Sequence, residues 1–140
     1  MKVTQISVFL ENRKGRLYDV CTLLGENNIN IMALTIAETE NFGVLRIVVN
    51  KAEDALKLLK QKGFAANQTD VIIVQVEDKP GGLARVLKVF NDNNLNIEYM
   101  HAFIKKGTEG HPYMVFRVDN PDLALSTLKK NNIAIITNID

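Results

Sequence analysis

The chain has 140 residues, a formal net charge of +1, a single cysteine and 46% hydrophobic residues. A charge this close to zero argues against nucleic-acid or membrane binding by bulk electrostatics, and a lone Cys21 excludes an intrachain disulfide and fits a reducing compartment. The N-terminal residues Met1-Lys2-Val3-Thr4-Gln5 hold no apolar stretch of signal length, and no run approaches a membrane span, so a cytoplasmic chain with no membrane partner is expected.

Residues 3–10 alternate, with Ile6, Val8 and Leu10 on one face and Ser7 and Phe9 on the other, which predicts a strand. Residues 11–15 form a turn. From residue 16 the period changes: Leu17, Val20, Cys21 and Leu24 follow i, i+3, i+4, i+7 and predict one apolar helix face. Asn27-Asn28 stands where that helix ends, because asparagine tolerates the left-handed conformation that closes a helix. Residues 31–38 and 43–49 predict two strands joined by a hairpin loop at Thr39-Glu40-Asn41-Phe42. Ala52, Ala55, Leu56 and Leu59 predict a second helix, with Glu53-Asp54 in its first turn, where acids favour the dipole. Phe64 to Ala66 predicts a closing strand, and Thr69-Asp70 a short junction.

The chain then repeats itself at an offset of 66. Between 11–31 and 77–97, eight of 21 positions are identical: Glu11/Glu77, Gly15/Gly81, Leu17/Leu83, Val20/Val86, Asn27/Asn93, Asn28/Asn94, Asn30/Asn96 and Ile31/Ile97. A strand is predicted over 71–76. A turn follows at Glu77-Asp78-Lys79-Pro80-Gly81-Gly82, then a helix carrying Leu83, Val86, Leu87 and Phe90. Strands are predicted over 97–105 and 113–118, with a longer loop at Lys106–Gly110 that breaks the offset. Asp119 or Asn120 caps a last helix, with Pro121 in its first turn and Ala124, Leu125 and Leu128 on its apolar face. Ile133 to Ile136 closes the second copy.

An ungapped repeat of this length fixes the architecture. The order β-α-β-β-α-β occurs twice, so the fold class is α+β: two tandem ferredoxin-like units, 1–69 and 70–140, each an antiparallel sheet with helices on one face. Right-handed crossovers place the first and third strands of each unit in the middle. Ile6, Val8, Leu45 and Ile47, with Ile72, Val74, Phe116 and Val118, are expected under the helices. The other face carries Phe9, Val44, Arg46 and Val48, with Ile73, Tyr113, Val115 and Arg117, and is too apolar to stay solvated. Arg46 and Arg117 read first as snorkelling or ion-paired side chains, and second as anchors for a ligand carboxylate. The second strand of each unit is an edge with few charges. The units are therefore expected to join through these edges or to pack their open faces, and the chain to form a homodimer.

No residue pattern points to catalysis, a metal or a cofactor. His101 and His111 lack partners at metal-ligand spacing, Cys21 reads as a small apolar group, and Lys14-Gly15 lacks the rest of a phosphate-binding loop. The third strand, Val44 to Val49, has no aromatic residue to stack a base, which argues against RNA. The turn is more informative. Gly81-Gly82 stands before a helix N-terminus, where unpaired N–H groups and the dipole favour a carboxylate. Asn96, beyond the far end of that helix, offers an amide that both donates and accepts. Against this, Asp78 and Asn12 read equally as N-caps, Gly15 and Gly81 as carriers of positive φ, and Asn30 and Asn96 as shapers of strand entry.

Asp78-Lys79-Pro80-Gly81, the apolar helix and Asn96-Ile97 together resemble the ACT domain, a small-molecule-sensing regulatory module of amino-acid metabolism. The resemblance covers the whole chain as two copies; the first departs from it in carrying Lys14 where the family has proline. It implies a non-enzymatic sensor that binds a free amino acid where two ACT domains meet and modulates a partner enzyme of amino-acid biosynthesis. The ligand-binding positions it implies are Asn12, Gly15 and Asn30, then Asp78, Gly81, Gly82, Leu83 and Asn96. The alternative is a subunit that holds a biosynthetic enzyme without ligand dependence.

Overall fold

A computed structural model describes residues 2–11, 13–38, 42–103 and 111–139. The elements in order are β1 (Val3–Glu11), α1 (Arg16–Glu26), β2 (Ile31–Glu38), β3 (Phe42–Val49), α2 (Ala52–Gln61), β4 (Ala65–Gln75), α3 (Gly82–Asp92), β5 (Ile97–Ala102), β6 (Tyr113–Val118), α4 (Pro121–Lys130) and β7 (Ile135–Ile136). The expected hairpin loops, residues 39–41 and 106–110, lie outside the described residues. The chain divides into two compact units. Thr4–Thr69 forms one; Asp70–Ile139 forms the other, together with Lys2 and Val3.

In the N-terminal unit, β3 lies between β1 and β2 and pairs antiparallel with both, and β4 lies on the other side of β1. The register sets Ile6 opposite Ile47 and Val8 opposite Leu45. Because side chains alternate along a strand, this pairing sends all four to one face. There they pack with Val20 and Leu24 of α1 and Ala55 and Leu59 of α2 in a single core. In the C-terminal unit β6 lies between β4 and β5, and β7 takes the other edge of β4. Ile72, Val74, Phe116 and Val118 meet Val86 and Phe90 of α3 and Leu128 of α4. Phe90 and Phe116 pack edge to face at 5.2 Å. Both units are thus ferredoxin-like βαββαβ units with the helices over one face of an antiparallel sheet.

Three local expectations need correction. The closing strand of the first copy and the opening strand of the second are one strand, β4; Asn67-Gln68-Thr69-Asp70 is polar but holds no Gly or Pro to end an extended backbone. The last strand is only two residues long. Leu17, expected on the buried stripe, is 38% exposed, while Leu23 packs on the core. Of the opposite sheet face, Val48, Ile73 and Val115 are fully buried. Arg117 takes the ion-paired reading: its Nη1 donates to the Asp70 carbonyl at 2.8 Å and its Nε lies 3.8 Å from Glu98. Arg46 is not free either.

Helix ends follow one rule. Asn27, Asn93 and Asn131 each donate from Nδ2 to the carbonyl four residues back, all at 2.8 Å. The next residue, Asn28, Asn94 or Asn132, takes a positive φ of 59°, 55° or 57°. The doubled asparagines of the repeat therefore close helices, and α4 ends on the same device.

Candidate functional site

Both turns after the first strand of a copy place a glycine in the left-handed region just before the helix, Gly15 at φ 92° and Gly81 at φ 85°. Among the described residues neither helix has a side-chain cap. Asp78 is exposed and makes no bond among the described residues, so it is not the N-cap of α3. Asn12 lies outside the described residues. In α4, by contrast, Asn120 Oδ1 accepts from Leu123 N–H at 3.2 Å, the expected cap, with Pro121 beside it.

The two turns differ where the sequence exchanges Arg16 for Gly82. Gly82 is buried, and its N–H donates to the Lys79 carbonyl at 2.9 Å, so that group is not available to a ligand. A Cβ at Gly82 would overlap the Glu77 carbonyl oxygen. The next backbone bond into the turn comes from Arg85 N–H to the Gly81 carbonyl at 3.1 Å, and the Leu83 N–H has no backbone partner among the described residues. The Glu77 carboxylate is engaged by Lys79 at 2.7 Å and faces Arg85 at 3.9 Å. The hydrogen bond and charge of Lys79 lower the Glu77 pKa below its ordinary value, with a smaller contribution from Arg85.

The N-terminal turn is built otherwise. The Arg16 guanidinium lies 4.3 Å over the Phe64 ring. Nη1 is 3.5 Å from Asp19, and Nε is buried with no hydrogen-bond partner among the described residues. Beside it opens a cavity of about 300 Å³ lined by Leu10, Glu11, Arg13, Arg16, Leu17, Ile36, Glu38 and Gly43. Glu11 pairs with Arg13 at 3.2 Å. No sequence pattern pointed to Arg16 or Glu38. The signal was a non-conservative exchange inside a matching turn, Arg16 against Gly82, two residues after that of Lys14 against Pro80.

Asn30 and Asn96 occupy the other end of their units. The Asn96 N–H donates to Asp119 Oδ1 at 3.0 Å, and the Asp119 N–H returns to the Asn96 carbonyl at 3.1 Å. Asn30 repeats the arrangement with Asn50, at 3.0 and 3.3 Å. These brackets tie the start of the second strand to the end of the third, which satisfies the strand-entry reading. The Asn96 side chain stays exposed and makes no bond among the described residues. An eleven-residue helix separates Gly81 from Asn96. At about 1.5 Å per residue that is roughly 16 Å. Within one unit, then, the glycine turn and the asparagine do not share a pocket: Asn30 lines a separate cavity with Gly25, Asn28, Asn50 and Lys51.

The fold has known counterparts. The chain is 38% identical to a Bacteroides thetaiotaomicron protein of known crystal structure, covering 97% of this chain and 92% of that one with a TM-score of 0.91. It matches the regulatory subunit of aspartate kinase from Thermus thermophilus, in its ligand-free form, with a TM-score of 0.67 at 17% identity, a likeness of fold. Over 101 residues it is 29% identical to the acetolactate synthase small subunit of Buchnera aphidicola; this is 71% of the chain, and it spans 62% of that relative's length. The family model for an ACT domain pair matches residues 1–140, and the chain belongs to that family.

Proposed function

We propose that this chain is a cytoplasmic, non-catalytic regulator that binds a free amino acid at its ACT domains, 1–69 and 70–140, and passes the bound state to an enzyme of amino-acid biosynthesis. The observation that carries the reading is the ACT domain pair over the full 140 residues. The likeness to an acetolactate synthase small subunit supports a biosynthetic enzyme as the partner. Among the described residues no helix is long and apolar enough to cross a membrane, and no group of three or more His, Cys, Asp or Glu is placed to hold a metal ion. Since the helix separates turn from asparagine inside each unit, a seat that uses both draws the Gly15 or Gly81 turn from one ACT domain and Asn96 or Asn30 from another. A homodimer is part of this reading; Tyr18 and Leu34 remain exposed on α1 and the edge strand β2, as a second copy would require.

A thermal-shift screen against the twenty amino acids tests it. A ligand at one hundred times its Kd that binds only the folded chain adds about 2.7 kcal/mol, several degrees in melting temperature. A flat screen, with an enzyme recovered by the chain regardless of added amino acids, would replace the sensor by a subunit that binds its enzyme without a ligand.

A further inference from the structure

The cavity beside the N-terminal turn has a chemistry the C-terminal turn lacks. Its floor is apolar: Leu10 from β1, Leu17 from α1 and Ile36 from β2. Leu17 and Ile36 are 38% and 51% exposed, an unusual cost for two aliphatic side chains side by side. Two charges of opposite sign stand over that floor without being spent on each other. Arg16 brings its guanidinium to the cavity lining, and its Nη1 reaches Asp19 only at 3.5 Å. A guanidinium that already rests on Phe64 is held in place, and its planar fork suits a carboxylate. The Glu38 carboxylate makes no ion pair among the described residues. The other two charges of the rim, Glu11 and Arg13, neutralise each other.

A cation, an unspent anion and an aliphatic floor in one cavity match one ligand class. We propose that the N-terminal unit holds the amino-acid seat in this cavity, that Arg16 binds the ligand carboxylate and Glu38 its ammonium, and that the ligand is an amino acid with an aliphatic side chain lying on Leu10, Leu17 and Ile36. The inference rests on the amino-acid-sensing reading and adds to it the seat, the anchor and the class. A volume of about 300 Å³ suits a small ligand and sits at the lower end of such sites. A dicarboxylic or dibasic amino acid would set its third charge against the aliphatic floor, where no partner waits, and desolvating it would weaken binding. The C-terminal turn has no such anchor, because Gly82 stands where Arg16 does and the neighbouring Glu77 is taken by Lys79.

Isothermal titration calorimetry on the full chain decides the matter, with L-leucine and L-isoleucine as probes and L-aspartate and L-lysine as contrasts. The wild type should bind the aliphatic pair at least tenfold more tightly than the charged pair. Arg16→Ala should lose at least tenfold in affinity. That change also removes the contact with Phe64, so Glu38→Gln and Ile36→Asp serve beside it: both positions are exposed, far-UV circular dichroism should be unchanged, and each should lose at least tenfold. Arg85→Ala, in the C-terminal unit, should bind as the wild type does. Wild-type affinity in Glu38→Gln and Ile36→Asp would move the seat elsewhere while the sensor reading stands. Preference for the charged probes would overturn the ligand class. Binding of none of the twenty amino acids would remove the sensor reading itself, and this seat with it.

Discussion

Replacing Gly82 by alanine should destabilise the C-terminal unit, against the direction that helix propensity gives. Gly82 is the first residue of α3, and alanine exceeds glycine as a helix former by about 1 kcal/mol. Packing runs the other way. The new Cβ would overlap the Glu77 carbonyl oxygen and stand 2.9 Å from the carbonyl carbon, where carbon atoms prefer about 3.5–4.0 Å. Both obstacles are backbone, so no side chain can swing away, and the turn itself must move by something on the order of 1 Å. Overpacking of this kind costs about 1–3 kcal/mol. The movement also strains the Gly82 N–H bond to Lys79, 2.9 Å long, a bond of a type worth about 0.5–1.5 kcal/mol. Set against the propensity gain, the net loss is about 0.5–3.5 kcal/mol, centred near 2. For a unit of this size that lowers the melting temperature by on the order of 10 °C. Thermal unfolding followed by circular dichroism reads it. A variant as stable as the wild type, or more so, would show that the turn yields freely and that the glycine is not required by Glu77. The same clash makes Gly82→Val unsuitable as a binding probe, since it would act on the fold first.

Three further outcomes follow from the packing and charges. Phe116→Ala should cost about 3–5 kcal/mol, because Phe116 is fully buried and packs edge to face on Phe90; chemical denaturation measures it, and a loss below 1 kcal/mol would mean the C-terminal core collapses onto the gap. Asn120→Ala should cost about 1 kcal/mol by removing the cap of α4, and Asn120→Asp should restore most of it. The Glu77 carboxyl is held below its ordinary range by Lys79, so the folded state gains stability from it at pH above the usual carboxylate range and loses that gain as pH falls through the lowered value. An NMR titration should place the Glu77 midpoint below the ordinary glutamate value, and Lys79→Ala should raise it; a Glu77 midpoint unmoved by that change would remove Lys79 as the cause.

The sequence alone determined the features that depend on neighbours along the chain. The switch between period 2 and period 3.6 and the doubled asparagines each act within one turn of helix or one strand; with the 66-residue repeat they specified two βαββαβ units, the helix ends and a cap at Asp119 or Asn120. The faces were legible too: Ile6, Val8, Leu45 and Ile47 lie under the helices because strand alternation leaves no other choice once one of them does. Thr69-Asp70 read as a junction because one copy of the repeat ends there, yet an extended backbone continues wherever nothing forbids it. The tertiary structure decided what depends on distance and on the surroundings of single atoms. Asn96 and Gly81 look like one motif in sequence, but the rise of α3 holds them roughly 16 Å apart. Gly82 looked like a pair of free donors with Leu83, but its N–H is spent on Lys79. Arg16 carried no reading of its own in the sequence, and its approach to Phe64 and the burial of its Nε mark it out, since burial is a property of packing that no local pattern encodes.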